Sequence, residues 1–172
     1  AYAACSPAAD NSPNPPPGTT ITCSGVTTDQ NGTNGYGTGN QTGIVINVDS
    51  GASVTGSVNS GINIGNATVS NSGSITGATN GVFSQNDVTV TNNTGATITG
   101  TVLSGIGSNN GSVTVVNSGT ITGNANVGVF AFVNATVTNN AGATIAGDLG
   151  VNSGYSAVGN VTNAGNIIGT SY

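Results

Sequence analysis

A short unit recurs along most of this chain at a nearly constant interval. Its clearest copy runs from Val88 to Gly100, Val-Thr-Val-Thr-Asn-Asn-Thr-Gly-Ala-Thr-Ile-Thr-Gly. Alternating apolar and hydroxyl residues read as a strand, Asn-Asn-Thr-Gly as a turn, and Ala-Thr-Ile-Thr as a second strand closed by glycine. Related pieces close at Gly56, Gly77, Gly123, Gly147 and Gly169, so the closing glycine returns after 21, 23, 23, 24 and 22 residues. A unit this short cannot bury its apolar face alone and must stack on its neighbours. The expected fold is all-β, a single-stranded parallel β-helix (β-solenoid) of about six coils with an irregular N-terminal cap.

The repeat also assigns directions to side chains. Residues two apart on a strand share a face, so Ile46, Val69, Val90, Val115, Val137 and Val161 form one inward column. Ile44, Ala67, Val88, Val113, Ala135 and Gly159 form a second. Beyond the turn, Val54, Ile75, Ile98, Ile121, Ile145 and Ile167 form a third. Five turns place an asparagine at the same point, Asn71, Asn92, Asn117, Asn139 and Asn163. In-register stacking predicts a hydrogen-bonded amide ladder there, although asparagine also suits turns for its own backbone reasons. Thr68, Thr89, Thr114 and Thr136 fall in one outward file, with Ser70, Thr91, Thr138 and Thr162 in the next. On the third side a glycine precedes a large apolar residue, as in Gly81-Val-Phe83, Gly128-Val-Phe130 and Gly154-Tyr155. Phe83, Phe130 and Phe132 are expected to pack over the end of the core.

Three segments follow from these patterns. Residues 1–20 hold all five prolines, and proline lacks the amide that a sheet interior needs. They are read as an extended arm. Residues 21–43 are glycine-rich and irregular, as a cap for the first coil would be. Residues 44–172 carry the repeats. Cys5 and Cys23 are an even pair, which favours one disulfide in an oxidising compartment over two buried thiols. Whether such a bond lies within or between chains stays open. Ala1-Tyr2-Ala3 has the small-x-small spacing of a signal-peptidase site and suggests a mature secreted chain.

Composition bounds the chemistry. The 172 residues include no Lys, Arg or His, and the five acidic residues give a net charge of −5. Without cations there is no counterion-release term for nucleic acid and no attraction to anionic membrane surfaces. No apolar run approaches the length of a membrane span. Asp10, Asp29, Asp49, Asp87 and Asp148 lie in five different regions, so no acid–base pair is legible, and Ser or Thr nucleophiles have no base. The expectation is no enzyme, no catalytic residues, no cofactor and no metal.

The repeated Asn-Ser-Gly-[Ser/Thr]-Ile-Thr-Gly and Gly-Ala-Thr-Ile-[Thr/Ala]-Gly units resemble the passenger regions of bacterial autotransporter proteins. Cys23-Ser-Gly-Val26 and Asn31-Gly-Thr-Asn-Gly-Tyr-Gly-Thr-Gly39 carry the same resemblance. It implies a right-handed helix and a secreted or bacterial cell-surface location, and passengers of this kind serve as adhesins, aggregation factors, enzymes or spacers. Departing from that pattern, the given sequence stops at Tyr172 just after a sixth turn.

The final unit, Val161 to Gly169, contains no charge or proline to block strand addition. The first functional expectation is therefore a structural subunit whose partner is itself, stacked head to tail into a filament. An adhesin that binds glycans or host surfaces through its Thr and Asn faces is the alternative. Ice binding through the Thr files is the third.

Overall fold

In the computed structural model the described residues are 4–9, 15–154 and 159–170. Ala1–Ala3, Asp10, Pro13 and Tyr155 fall outside them. Every element is a strand. β1 is Cys5–Ser6, β2 Thr20–Cys23 and β3 Val26–Thr28; β4 is Ile44–Val48, β5 Ser53–Gly56 and β6 Ile62–Ile64. β7 is Ala67–Asn71, β8 Ser74–Gly77 and β9 Val82–Ser84; β10 is Val88–Asn92, β11 Thr97–Gly100 and β12 Ile106–Ser108. β13 is Val113–Asn117, β14 Thr120–Ala131, β15 Ala135–Asn139, β16 Thr144–Ser153, β17 Gly159–Asn163 and β18 Asn166–Gly169.

The strands stack as a parallel solenoid. One sheet runs β1-β2-β4-β7-β10-β13-β15-β17, and every neighbour pair in it is parallel except β1 with β2. The second sheet runs β3-β5-β8-β11-β14-β16-β18, and a third side is built by β6, β9, β12 and the second halves of β14 and β16. Register is strict: Val69, Val90, Val115 and Val137 pair directly, as do Ile75, Ile98, Ile121 and Ile145.

These columns are the core. Ile46, Val69, Val90, Val115, Val137, Val54, Ile75, Ile98, Ile121 and Ile145 are all buried. Burying one such side chain contributes about 1.5–3 kcal/mol. The last members differ, since Ile167 is only half-buried and Val161 is 43% exposed.

The turns between the first two sides come in two kinds that use glycine for different reasons. In the long turns Ala52, Ala96 and Ala143 donate N–H to the carbonyls of Asp49, Asn93 and Asn140. Gly51, Gly95 and Gly142 then sit at φ of 78°, 78° and 79°, which a type II turn demands. In the short turns Gly73, Gly119 and Gly165 have no positive φ. A Cβ there would lie 2.2–2.4 Å from the carbonyl oxygen of Ala52, Ala96 or Ala143 in the coil before. The first kind relieves torsion, and the second lets one coil seat on another.

Three expectations need correction. Coil stacking begins inside the predicted cap, because β2 and β3 pair in parallel with β4 and β5 and Ile21 continues the Ile46 column. The proline-rich arm does contribute a strand, β1, but as an antiparallel edge piece that precedes the prolines. The aromatic residues do not cover the core end. Val82 and Val129 point inward, whereas the next residues, Phe83 and Phe130, point outward and are half-buried, and Phe132 is 57% exposed. The equivalent corner in the next coil is Gly150-Val151 and not Gly154-Tyr155, since Val129 pairs with Val151. Strand alternation decides this: the corner glycine fixes the parity, so the residue right after it faces the interior and the next one faces out.

Candidate functional site

The five predicted ladder residues meet as a continuous amide stack. Asn71 Nδ2 donates to Asn92 Oδ1 at 2.9 Å, Asn92 to Asn117 at 2.9 Å, Asn117 to Asn139 at 2.8 Å and Asn139 to Asn163 at 2.9 Å. Each donor also reaches a carbonyl of the following coil, Thr97, Thr120, Thr144 and Asn166 in turn. In the short turns the amide oxygen takes a further N–H from Gly73, Gly119 or Gly165. The first four side chains are buried and satisfied, the condition under which a buried polar network specifies structure rather than weakening it. The stack has a direction, and its start is closed by Val48, which pairs with Asn71. At its other end exposed Asn163 accepts from Asn139 and Gly165, and its own Nδ2 has no partner among the described residues.

The outward files are equally regular. Thr68, Thr89, Thr114 and Thr136 are exposed and pair strand to strand. Beside them Ser70, Thr91, Thr138 and Thr162 are interrupted by Val116, which pairs with Thr91 and Thr138. The second sheet carries a pair of files that the sequence reading passed over, Ser53-Ser74-Thr97-Thr120-Thr144 and Thr55-Thr76-Thr99-Thr122. Their signal was in plain view, because the residues flanking each column Ile must face outward. Strand spacing of about 4.8 Å sets the hydroxyl interval on both faces.

The acidic residues are dispersed. Ser112 N–H donates to Asp87 Oδ1 at 2.7 Å and Thr170 Oγ1 to Asp148 Oδ1 at 3.0 Å. The Ser57 hydroxyl and N–H both donate to Asp29, and these bonds hold its carboxyl below the usual carboxylate range. No group of three His, Cys, Asp or Glu that could hold a metal occurs among the described residues.

The N-terminal end is built quite differently from the faces. Cys5 and Cys23 form a disulfide within the chain. Gln30 binds Cys5 reciprocally, accepting its N–H at 2.9 Å and donating to its carbonyl at 2.8 Å. Asn31 Nδ2 donates to Ala9 O at 2.7 Å and the Tyr36 hydroxyl to Pro7 O at 3.1 Å. Burial pushes the Tyr36 hydroxyl up to about 12.

No helix among the described residues is long and apolar enough to cross a membrane. Comparison of the chain with protein-family models, with curated proteins and with solved structures gives no match.

Proposed function

We propose that the chain is a non-enzymatic, extracellular structural protein, a β-solenoid subunit whose copies stack head to tail into a surface filament or matrix. One observation carries the reading: the last described coil keeps the register of its neighbours, and no other described residue pairs with its outer edge or covers its core columns. β17 is exposed along its whole length, the column members Val161 and Ile167 are exposed and half-buried, and the Asn163 Nδ2 has no partner among the described residues. An edge without charge, proline or bulge is a template for the next strand. At the other end, among the described residues, β3 has no outer neighbour and β1 pairs only with Thr22 and Cys23 of β2, so a strand edge is offered there as well. A contact between two different ends does not close on itself and produces a fibre. The intrachain disulfide is compatible with an oxidising compartment.

Negative-stain microscopy and sedimentation at rising concentration test this directly. Wild-type protein is expected to form filaments about as wide as one solenoid, and Ile168→Lys, which puts a charge on the open edge, to remain monomeric. Wild-type protein that stays monomeric throughout ends the proposal.

A processed autotransporter passenger acting as an adhesin is the second reading, supported by the two uncharged hydroxyl faces. Cell or glycan binding lost on replacing Thr89 and Thr114 by Glu, with assembly intact, would move the function from the ends to the sides.

A further inference from the structure

On the third side the outward residues of successive coils are Asn63, Phe83, Gly107, Phe130 and Asn152, all in register. Gly107 therefore stands between two phenylalanines, and the missing side chain leaves a groove of about 260 Å³. Phe83, Phe130, Leu103, Asn109, Asn126 and Asn152 surround it. The side-chain amides of Asn126 and Asn152 take part in no hydrogen bond among the described residues. Asn80, at the inner wall, is held by the Ser104 N–H at 3.1 Å. No carboxylate lines the groove.

We propose that this groove binds one neutral pyranose ring of a polysaccharide. Phe83 and Phe130 lie two strand spacings apart, about 9.5 Å between their backbones. A flat aromatic guest in van der Waals contact with both rings fills about 7–8 Å of that, so the remainder suits a thicker, puckered, saturated ring. Phenyl faces take the C–H side of such a ring, and the side-chain amides of Asn126 and Asn152 on the groove wall supply donors and acceptors for its hydroxyls. A sugar acid is disfavoured because the chain has no cation to pair with it and carries a net charge of −5.

The steric state of Gly107 supplies a clean test. A Cβ built there meets nothing closer than 3.5 Å, from Asn80 and Ser104, and its φ is not in the left-handed region. Gly107→Val should thus fill the groove without disturbing the strand. Saturation-transfer NMR against a panel of neutral gluco-, manno- and galacto-hexaoses, α- and β-linked, is the measurement, with hexagalacturonate as the acidic control.

At least one neutral hexaose is expected to receive saturation from the phenylalanine rings. Affinity should fall about tenfold or more in Gly107→Val and in Phe130→Ala, the loss of one aromatic contact face. Circular dichroism and melting temperature should stay as in wild type, and the acidic hexamer should not bind. Binding of no neutral hexaose, or binding that survives both substitutions, overturns the proposal. The readout does not depend on filaments, so its failure and the failure of end-to-end assembly are separate outcomes.

Discussion

The two ends of the solenoid contain the same kind of coil and treat it in opposite ways. At the first coil Ile21 and Cys23 are completely buried, because the arm lies over them, joined by the disulfide and by Gln30, Asn31 and Tyr36. At the last described coil Val161 belongs to the same column as Ile21 and is 43% exposed. A residue of a solenoid is thus not buried by its own coil. Burial comes from whatever lies on the next level, and an identical pattern is core in the middle and surface at the edge.

The largest expected break in this contrast is reduction of Cys5–Cys23. Cross-linking over a separation of 18 residues contributes about 3 kcal/mol in the loop-entropy account. Amide exchange should then show β2 and β4 losing protection while β17 and β18 change little. If all coils lose protection equally, the arm stabilises the whole molecule and not its first end.

Next in size is the ladder. Asn117→Ala takes the partner from the Gly119 N–H and from Asn139 Oδ1 in a buried site and should cost about 2 kcal/mol in urea unfolding. Asn163→Ala, in the edge coil itself, should cost less than about 0.5 kcal/mol, as at a surface site. Equal losses would mean that the exposed rung is as ordered as the buried one. A hydroxyl in the core column sharpens the same point, since Val115→Thr should cost about 1–2 kcal/mol and Val161→Thr almost nothing.

The smallest effect is in pH. The buried Tyr36 hydroxyl is raised from 10.0 to about 12, so the folded state holds its proton longer than the unfolded state does. Stability from this group is intact below pH 10 and is lost as pH rises through about 12. Unfolding midpoints followed across that range should slope downward, and Tyr36→Phe should flatten the slope even though it gives up the bond to Pro7. Asp29 acts in the opposite sense at acid pH, its contribution fading as pH falls below 3.8. An unchanged slope in Tyr36→Phe would place the alkaline sensitivity elsewhere.

Much of the architecture was legible because stacking repeats carry their register in the sequence. The inward columns, the Asn rungs and the Thr68 file all came from aligning turns, and all lie where that alignment puts them. The third side was misread because its strands are three residues long and their parity depends on a corner glycine. Gly61, Gly81, Gly105 and Gly128 approach the Ile75, Ile98, Ile121 and Ile145 side chains so closely that a Cβ would sit 2.6–2.7 Å away. That contact, invisible in the chain, turns Val82 and Val129 inward and Phe83 and Phe130 outward.

The sequence by itself determined the repeat, the columns and the absence of cationic chemistry, because each is a matter of which residue type recurs at which interval. Only the tertiary structure decided which members of a column are shielded, that the arm returns across the first coil, and that a glycine lies between two phenylalanines on neighbouring levels. Those are relations between residues far apart along the chain, and they arise only when coils close over one another.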